Sequence, residues 1–283
     1  MGVTRRCLVT AGAAALSGCS ATAALNALVP RGTYRLEGDI AYGTSERQRL
    51  DVYLPVEAAA GAPVLVFFYG GHWTRGSRSD YRFVGEALAS AGVVTVVPDY
   101  RLSPQVHWAD ILRDCAAATR WAVSAARRLG ASPERVFLMG HSAGGYNAGM
   151  LALDPRWLRE RDLQPRNLAG WIGLAGAYDF LPIRDPDVQR AFGWPATPAD
   201  SQPLAHASAR APRTLLLTAR QDDTVDPVRN SASLADRLQR AGAEARLQMF
   251  DGVGHVSLVA AIASPLRHLA PVQPEVLRFV QAG

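Results

Sequence analysis

Lysine is absent from this chain of 283 residues: all thirty Lys+Arg positions are arginine. That absence removes every chemistry that runs through a lysine amine. No Schiff base forms on a lysine, no pyridoxal phosphate is held by one, and no P-loop lysine reaches a phosphate. Cysteine is scarce, with three residues at Cys7, Cys19 and Cys115. Two lie in the N-terminal stretch, so no disulfide framework follows, and Cys115, in the helical pattern Asp114-Cys115-Ala116-Ala117, reads as a small buried residue. Metal-ligand spacing is missing, and no Gly-x-Gly-x-x-Gly follows a strand, so neither a metal nor a nucleotide cofactor is expected. A net charge of +5 would suit nucleic acid or an anionic surface, but the arginines are scattered, and a solvated mixed surface with no nucleic-acid partner is the expectation.

What is present belongs to an ordinary folded protein: 48% hydrophobic and 19% charged residues, in a length that suits one domain. The first residues read as an address. Thr4-Arg5-Arg6-Cys7-Leu8 resembles a twin-arginine export signal, and a short apolar stretch follows to Leu16. Leu16-Ser17-Gly18-Cys19 resembles the bacterial lipoprotein box, in which the cysteine is lipidated and becomes the new N-terminus. The expectation is an exported protein, anchored in a bacterial cell envelope through Cys19, with residues 1–32 as signal and tether and 33–283 as the folded domain.

Beyond the tether, apolar runs alternate with helical periodicity. The runs Val64–Phe68, Val93–Val97, Val136–Met139, Trp171–Leu174, Thr214–Thr218 and Ala245–Phe250 read as buried strands. Arg49–Leu54 alternates and reads as an antiparallel strand with one wetter side. Helical stretches fall at Phe83–Ser90, Ile111–Leu129, Tyr146–Leu153, Ser231–Ala241 and Glu275–Val280. This alternation predicts an α/β fold with a mostly parallel central sheet and helices on both faces. Residues 181–211, rich in Pro, Asp and Ala, read as an insertion or cap.

The strand at 136–139 runs into Gly140-His141-Ser142-Ala143-Gly144-Gly145 and then a helix. That is G-x-S-x-G in the strand–turn–helix context that lifts a serine hydroxyl into the open, so Ser142 is the candidate nucleophile. A serine needs a base. His255, in Gly252-Val-Gly-His255 after the last strand, has the right context; His268, the other late histidine, lacks a preceding strand. The acid should follow the penultimate strand, where Ala219-Arg-Gln-Asp222-Asp223-Thr-Val-Asp226 offers three carboxylates. Spacing from the strand end selects Asp222, and counting back from the next helix selects Asp223; Asp222 is preferred. Oxyanion donors are expected from the backbone of Ala143 and from Gly71 and His72, in the Tyr69-Gly-Gly-His-Trp73 loop. Trp73 and Tyr146, with Phe180, Phe192 and Trp194, are candidates for an apolar substrate pocket, and any of them reads equally as core.

Together, Tyr69-Gly-Gly-His-Trp73, Asp99-Tyr-Arg-Leu102, the serine motif and Gly252-Val-Gly-His255 resemble the esterase/lipase group of the α/β-hydrolase superfamily. The similar branch carries an H-G-G-x-W loop and includes feruloyl-esterase-like carboxylesterases and kynurenine formamidases. The resemblance spans about residues 45–280. It implies an α/β-hydrolase fold, no cofactor, and acyl-enzyme hydrolysis of a small ester, short acyl or aryl, through Ser142, Asp222 and His255. An arylformamidase acting on an amide is the alternative. A non-catalytic membrane-tethered binding module is the alternative of another class. In one respect the chain departs from the pattern: the loop histidine of the branch is Tyr69 here.

Overall fold

The computed structural model describes residues 18–57 and 60–282, with the backbone alone for 18–21. Its strands are β1 (Tyr34–Ala41), β2 (Arg49–Pro55), β3 (Ala62–Phe68), β4 (Val94–Pro98), β5 (Ala131–His141), β6 (Gly170–Leu174), β7 (Thr214–Ala219) and β8 (Ala245–Phe250). Its helices are α1 (Gly18–Ala27), α2 (Arg82–Ala89), α3 (Trp108–Ala125), α4 (Ala143–Leu153), α5 (Pro155–Arg159), α6 (Pro186–Phe192), α7 (Ser233–Arg240), α8 (His255–Ala260) and α9 (Val272–Gln281). The strands form one sheet in the order β1-β2-β4-β3-β5-β6-β7-β8. The β1–β2 and β2–β4 pairs are antiparallel, and every pair from β4 to β8 is parallel.

The apolar runs become the middle of this sheet because both faces are covered. Every residue of β3, β4, β6 and β7 is buried. Helices α3, α4 and α5 pack on one another over one face, and α2 meets α9 on the other, where Gln273 Nε2 donates to the Ala87 carbonyl at 2.6 Å. β1 escapes the sequence reading because no residue in it is fully buried, so it carries no apolar alternation.

The connections decide where a site can form. From β3 the chain moves to β4 on one side, then returns to β5 on the other. The carboxyl ends of β3 and β5 therefore flank the topological switch point, the place where loops diverge and leave a crevice. The loops after β3, β5, β6, β7 and β8 all leave from that end of the parallel sheet.

One boundary differs from the expectation. The stretch from residue 19 to 32 is not a free tether. Helix α1 lies against the domain, where Asn26 Nδ2 donates to the Ser79 carbonyl at 2.7 Å, Asn26 Oδ1 accepts from the Phe83 amide at 3.2 Å, and Leu25 and Val29 join the core. An Ala-rich segment is a good helix former, and Asn26 together with Leu25 and Val29 fastens it to the domain. The Cys19 side chain and the export signal over 1–17 lie outside the described residues. Residues 181–211, between β6 and β7, hold α6 and short 3₁₀ turns at 199–201 and 203–206. Among the described residues, no helix is long and apolar enough to cross a membrane.

Candidate active site

Ser142 sits on a backbone that only crowding can hold. Its φ of 55° and ψ of −120° are costly for a residue with a side chain, about 1–3 kcal/mol. The neighbours explain how the turn survives. A Cβ built on Gly140 would stand 2.0 Å from the Gly144 carbonyl oxygen, and one on Gly144 would stand 2.0 Å from the Phe68 carbonyl oxygen. The Ser142 amide also donates to the Leu174 carbonyl at 2.9 Å, tying the elbow to β6. Strand β5 and helix α4 thus meet at glycine contact, and the serine is left half-buried at the start of α4, whose N-terminal end favours negative charge.

Asp222 and His255 come together from loops after β7 and β8. His255 Nδ1 donates to Asp222 Oδ2 at 2.7 Å, and Asp222 Oδ1 accepts from the amides of Thr224 at 2.9 Å and Val225 at 2.8 Å. Burial pushes the Asp222 carboxyl up, but the His255 hydrogen bond and these amides outweigh it and hold the group below its ordinary range. Asp223, the competitor, is exposed and, among the described residues, its carboxylate bonds to the Thr224 hydroxyl alone. Because Asp222 takes the Nδ1 proton, neutral His255 presents Nε2 as an acceptor. Among the described residues the Ser142 hydroxyl forms no hydrogen bond, His255 included. Such contacts are commonly long without substrate and tighten in the complex.

His141 supports this arrangement from below. Its Nε2 donates to the His255 carbonyl at 3.0 Å, and the two rings lie 4.8 Å apart. Complete burial, together with the nearby His255, pushes its pKa down to about 3, so it is neutral.

The loop after β3 lies against the elbow: a Cβ on Gly70 would stand 3.0 Å from Ser142 Cβ. Gly71, His72 and Trp73 all have positive φ, at 130°, 53° and 60°. Among the described residues the amides of Gly71, His72 and Ala143 donate to no protein acceptor, as oxyanion donors must not. Tyr69 stands where the related branch has histidine. Its hydroxyl donates to Asp99 Oδ1 and accepts from Arg47 Nη2, both at 2.8 Å.

A cavity of about 450 Å³ opens over Ser142 and Ala143. Trp73, Phe180, Ile183, Val188 and Val225 supply apolar wall, while His72, Asp179, Arg184, Asp185, Asp226 and Arg229 bring polar groups to it. Arg229 is tied to Asp179 at 3.0 Å. Three of the five aromatic pocket candidates are off the wall. Tyr146 is wholly buried and does not line the cavity; it sits edge-on to Trp73, with ring centroids 5.2 Å apart, and acts as packing beneath that wall. Its place on the first turns of α4 points it into the core. Phe192 is likewise buried behind Trp73, at 4.8 Å, and Trp194 is 38% exposed and off the wall. Trp73 itself is held by donation from Nε1 to Asn147 Oδ1 at 3.0 Å. Sequence reading missed Ile183, Val225 and Arg47, which stand in unpatterned loops or turns, and Val188, in the short helix α6; none carries a motif. Among the described residues no cluster of His, Cys, Asp and Glu could hold a metal ion.

Strand order, elbow and acid–histidine pair are arranged as in the α/β-hydrolase fold. The chain is similar in sequence to proteins of the esterase/lipase group of that superfamily. The BD-FAE family model matches residues 50–176, and the prolyl oligopeptidase family model matches residues 190–278. A probable isoprenylcysteine alpha-carbonyl methylesterase of Arabidopsis thaliana is 27% identical over 81% of this chain and 52% of its own length. The probable carboxylic ester hydrolase LipM of Mycobacterium tuberculosis is 30% identical over 73% of this chain and 52% of its own. The chain therefore spans about half the length of these relatives. Esterase B from Lactobacillus rhamnosis superposes with a TM-score of 0.79 at 20% identity, over 93% of this chain and 92% of that one, which shows a common fold.

Proposed function

We propose that the protein is a serine hydrolase that cleaves small carboxylic esters through an acyl-enzyme on Ser142. The observation that carries this is the Asp222–His255 pair, closed at 2.7 Å and packed against His141, the residue before a strained serine that opens into the cavity. His255 Nε2 takes the Ser142 proton as Oγ attacks the ester carbonyl. Amides of Gly71, His72 and Ala143 hold the tetrahedral oxyanion, the protonated alcohol leaves, and water then clears the acyl group by the same route. Asp222 keeps the imidazole in the useful tautomer and stabilises its cation. The apolar wall of Trp73, Phe180, Ile183 and Val188 suits a short acyl or aryl group.

Ser142→Ala should lower kcat on p-nitrophenyl butyrate by at least about 10⁴-fold and abolish labelling by a fluorophosphonate probe. Labelling of the variant as fast as the parent would overturn the assignment. An arylformamidase would use the same three residues, so N-formylkynurenine assayed beside the ester separates the two substrate classes.

In the same reading the protein is exported and Cys19 carries a lipid anchor; the lipoprotein-like box at 16–19 supports this. With α1 docked on the domain, such an anchor would hold the enzyme close to the bilayer. Cys19→Ala should move the protein from the membrane fraction to the soluble one. Unchanged fractionation and size would refute the anchor.

A further inference from the structure

We propose that Tyr69, keyed by Arg47 and Asp99, is the positioning residue that holds the oxyanion loop in its strained shape. The inference rests on the serine-hydrolase reading and concerns a residue that departs from the related pattern.

The loop needs such a device. Two consecutive residues with side chains, His72 and Trp73, hold positive φ after Gly71, and such conformations cost about 1–3 kcal/mol each unless the surroundings over-determine them. One end of the loop is fastened by Trp73: its indole binds Asn147, and its carbonyl accepts from the Ser103 amide at 2.9 Å. The other end hangs on Tyr69, which is fully buried. Its ring is stacked on Tyr100, with centroids 4.6 Å apart, and on Tyr81, at 5.8 Å. The Tyr69 backbone carbonyl accepts from the Tyr100 hydroxyl at 2.7 Å.

The phenol then joins the loop to the rest of the fold. Arg47 Nη2 donates both to the Tyr69 hydroxyl and to the Gly76 carbonyl, at 2.8 Å each, and Arg47 Nε donates to the Tyr100 carbonyl at 2.9 Å. Asp99 accepts from Tyr69 and from the amide of Arg78 at 2.7 Å, just past the loop. Gly76 lets the chain close over the ring, since a Cβ there would stand 2.8 Å from Tyr69 Cδ2. The start of the loop at residue 69 and the chain beyond it at 76–78 are thus clasped by one phenol, one guanidinium and one carboxylate. A displaced oxyanion donor weakens only the transition state, because the ground-state ester makes less demand on it.

Tyr69→Phe removes the hydroxyl and keeps the stacked ring. It should lower kcat on p-nitrophenyl butyrate by about tenfold to a hundredfold, as a shift of about 1 Å in a positioned group does, with KM changed less than about twofold. Affinity for a trifluoromethyl ketone, whose hemiketal oxyanion needs the same donors, should fall in parallel. Arg47→Gln, at a half-exposed site, gives an independent reading and should show the same kcat-selective loss. A Tyr69→Phe enzyme with parental kcat and parental ketone affinity overturns the inference, as does a loss confined to melting temperature. A parent protein that hydrolyses no ester and takes no fluorophosphonate would instead sink the underlying hydrolase reading.

Discussion

The nucleophile and its acid–base partners are held by different forces. Around Ser142, glycines let backbone meet backbone: carbonyl oxygens lie 2.0 Å from where a Cβ on Gly140 or Gly144 would be. Around Asp222 and His255 there is no such crowding; a Cβ on Gly252 or Gly254 would meet nothing within 4 Å. There the positions are set by hydrogen bonds from Thr224, Val225 and His255 to one carboxylate. A turn that must be strained is kept by sterics, which cannot relax. An arm that must carry a proton and accept a charge is kept by polar contacts.

The sharpest test of this contrast is Gly144→Ala. It puts a methyl against the Phe68 carbonyl with no flexible side chain to yield, and should destabilise the fold by more than about 3 kcal/mol. Gly254→Ala, in open space, should melt within about 3 °C of the parent. Similar melting temperatures for the two variants would break the comparison.

Next comes Asp222→Asn, which keeps the shape of the acid and loses its charge and its hold on the tautomer. Ester hydrolysis should fall by about 10³- to 10⁴-fold with the melting temperature little changed. Asp223→Asn should retain activity within about twofold, because among the described residues that exposed carboxylate hydrogen-bonds to Thr224 alone. The reverse ranking in a steady-state assay would reassign the acid.

A further effect separates the two regions by pH. His141 has its pKa depressed to about 3 in the folded state, so the unfolded chain binds the extra proton first. Its contribution is complete above pH 6.5, declines as pH falls from there to about 3, and amounts to up to about 5 kcal/mol across that window. Asp222, also depressed, adds its loss only at the acid end, below the ordinary carboxylate range. His141→Gln should therefore flatten the pH dependence of denaturation midpoints between pH 6.5 and 4. Parallel curves for variant and parent would show that the imidazole is not buried neutral.

The smallest change expected is at Trp194. Exposed and off the cavity wall, Trp194→Ala should alter stability by less than about 0.5 kcal/mol and kcat/KM by less than about twofold. Trp73→Ala, by contrast, should cost about 3–5 kcal/mol, since it removes a buried ring packed on Tyr146 and Phe192.

Much of the sheet was legible because a strand buried on both faces must be apolar throughout, and β3, β4, β6 and β7 are. β1 was not, since an edge strand that buries nothing fully leaves no pattern. Helix α1 was hidden for another reason: an Ala-rich stretch after a lipoprotein-like box reads equally as a tether. Tyr146 was misplaced because a chain position next to the nucleophile does not state which way a helical side chain points.

The residues of this chain, taken in order, determined a serine on a glycine-bounded turn, a histidine after the last strand and a carboxylate after the one before it. Those features depend on local geometry, and local geometry is written in short stretches of sequence. The tertiary structure decided the rest: Asp222 over Asp223, Trp73 over Tyr146 as cavity wall, and the clasp that joins Tyr69 to Arg47 and Asp99. Each of those depends on groups 22 or more positions apart meeting within a hydrogen bond's length or a ring's width, as Tyr69 does with Arg47. No spacing along a chain encodes such a meeting until the sheet has brought its strands side by side.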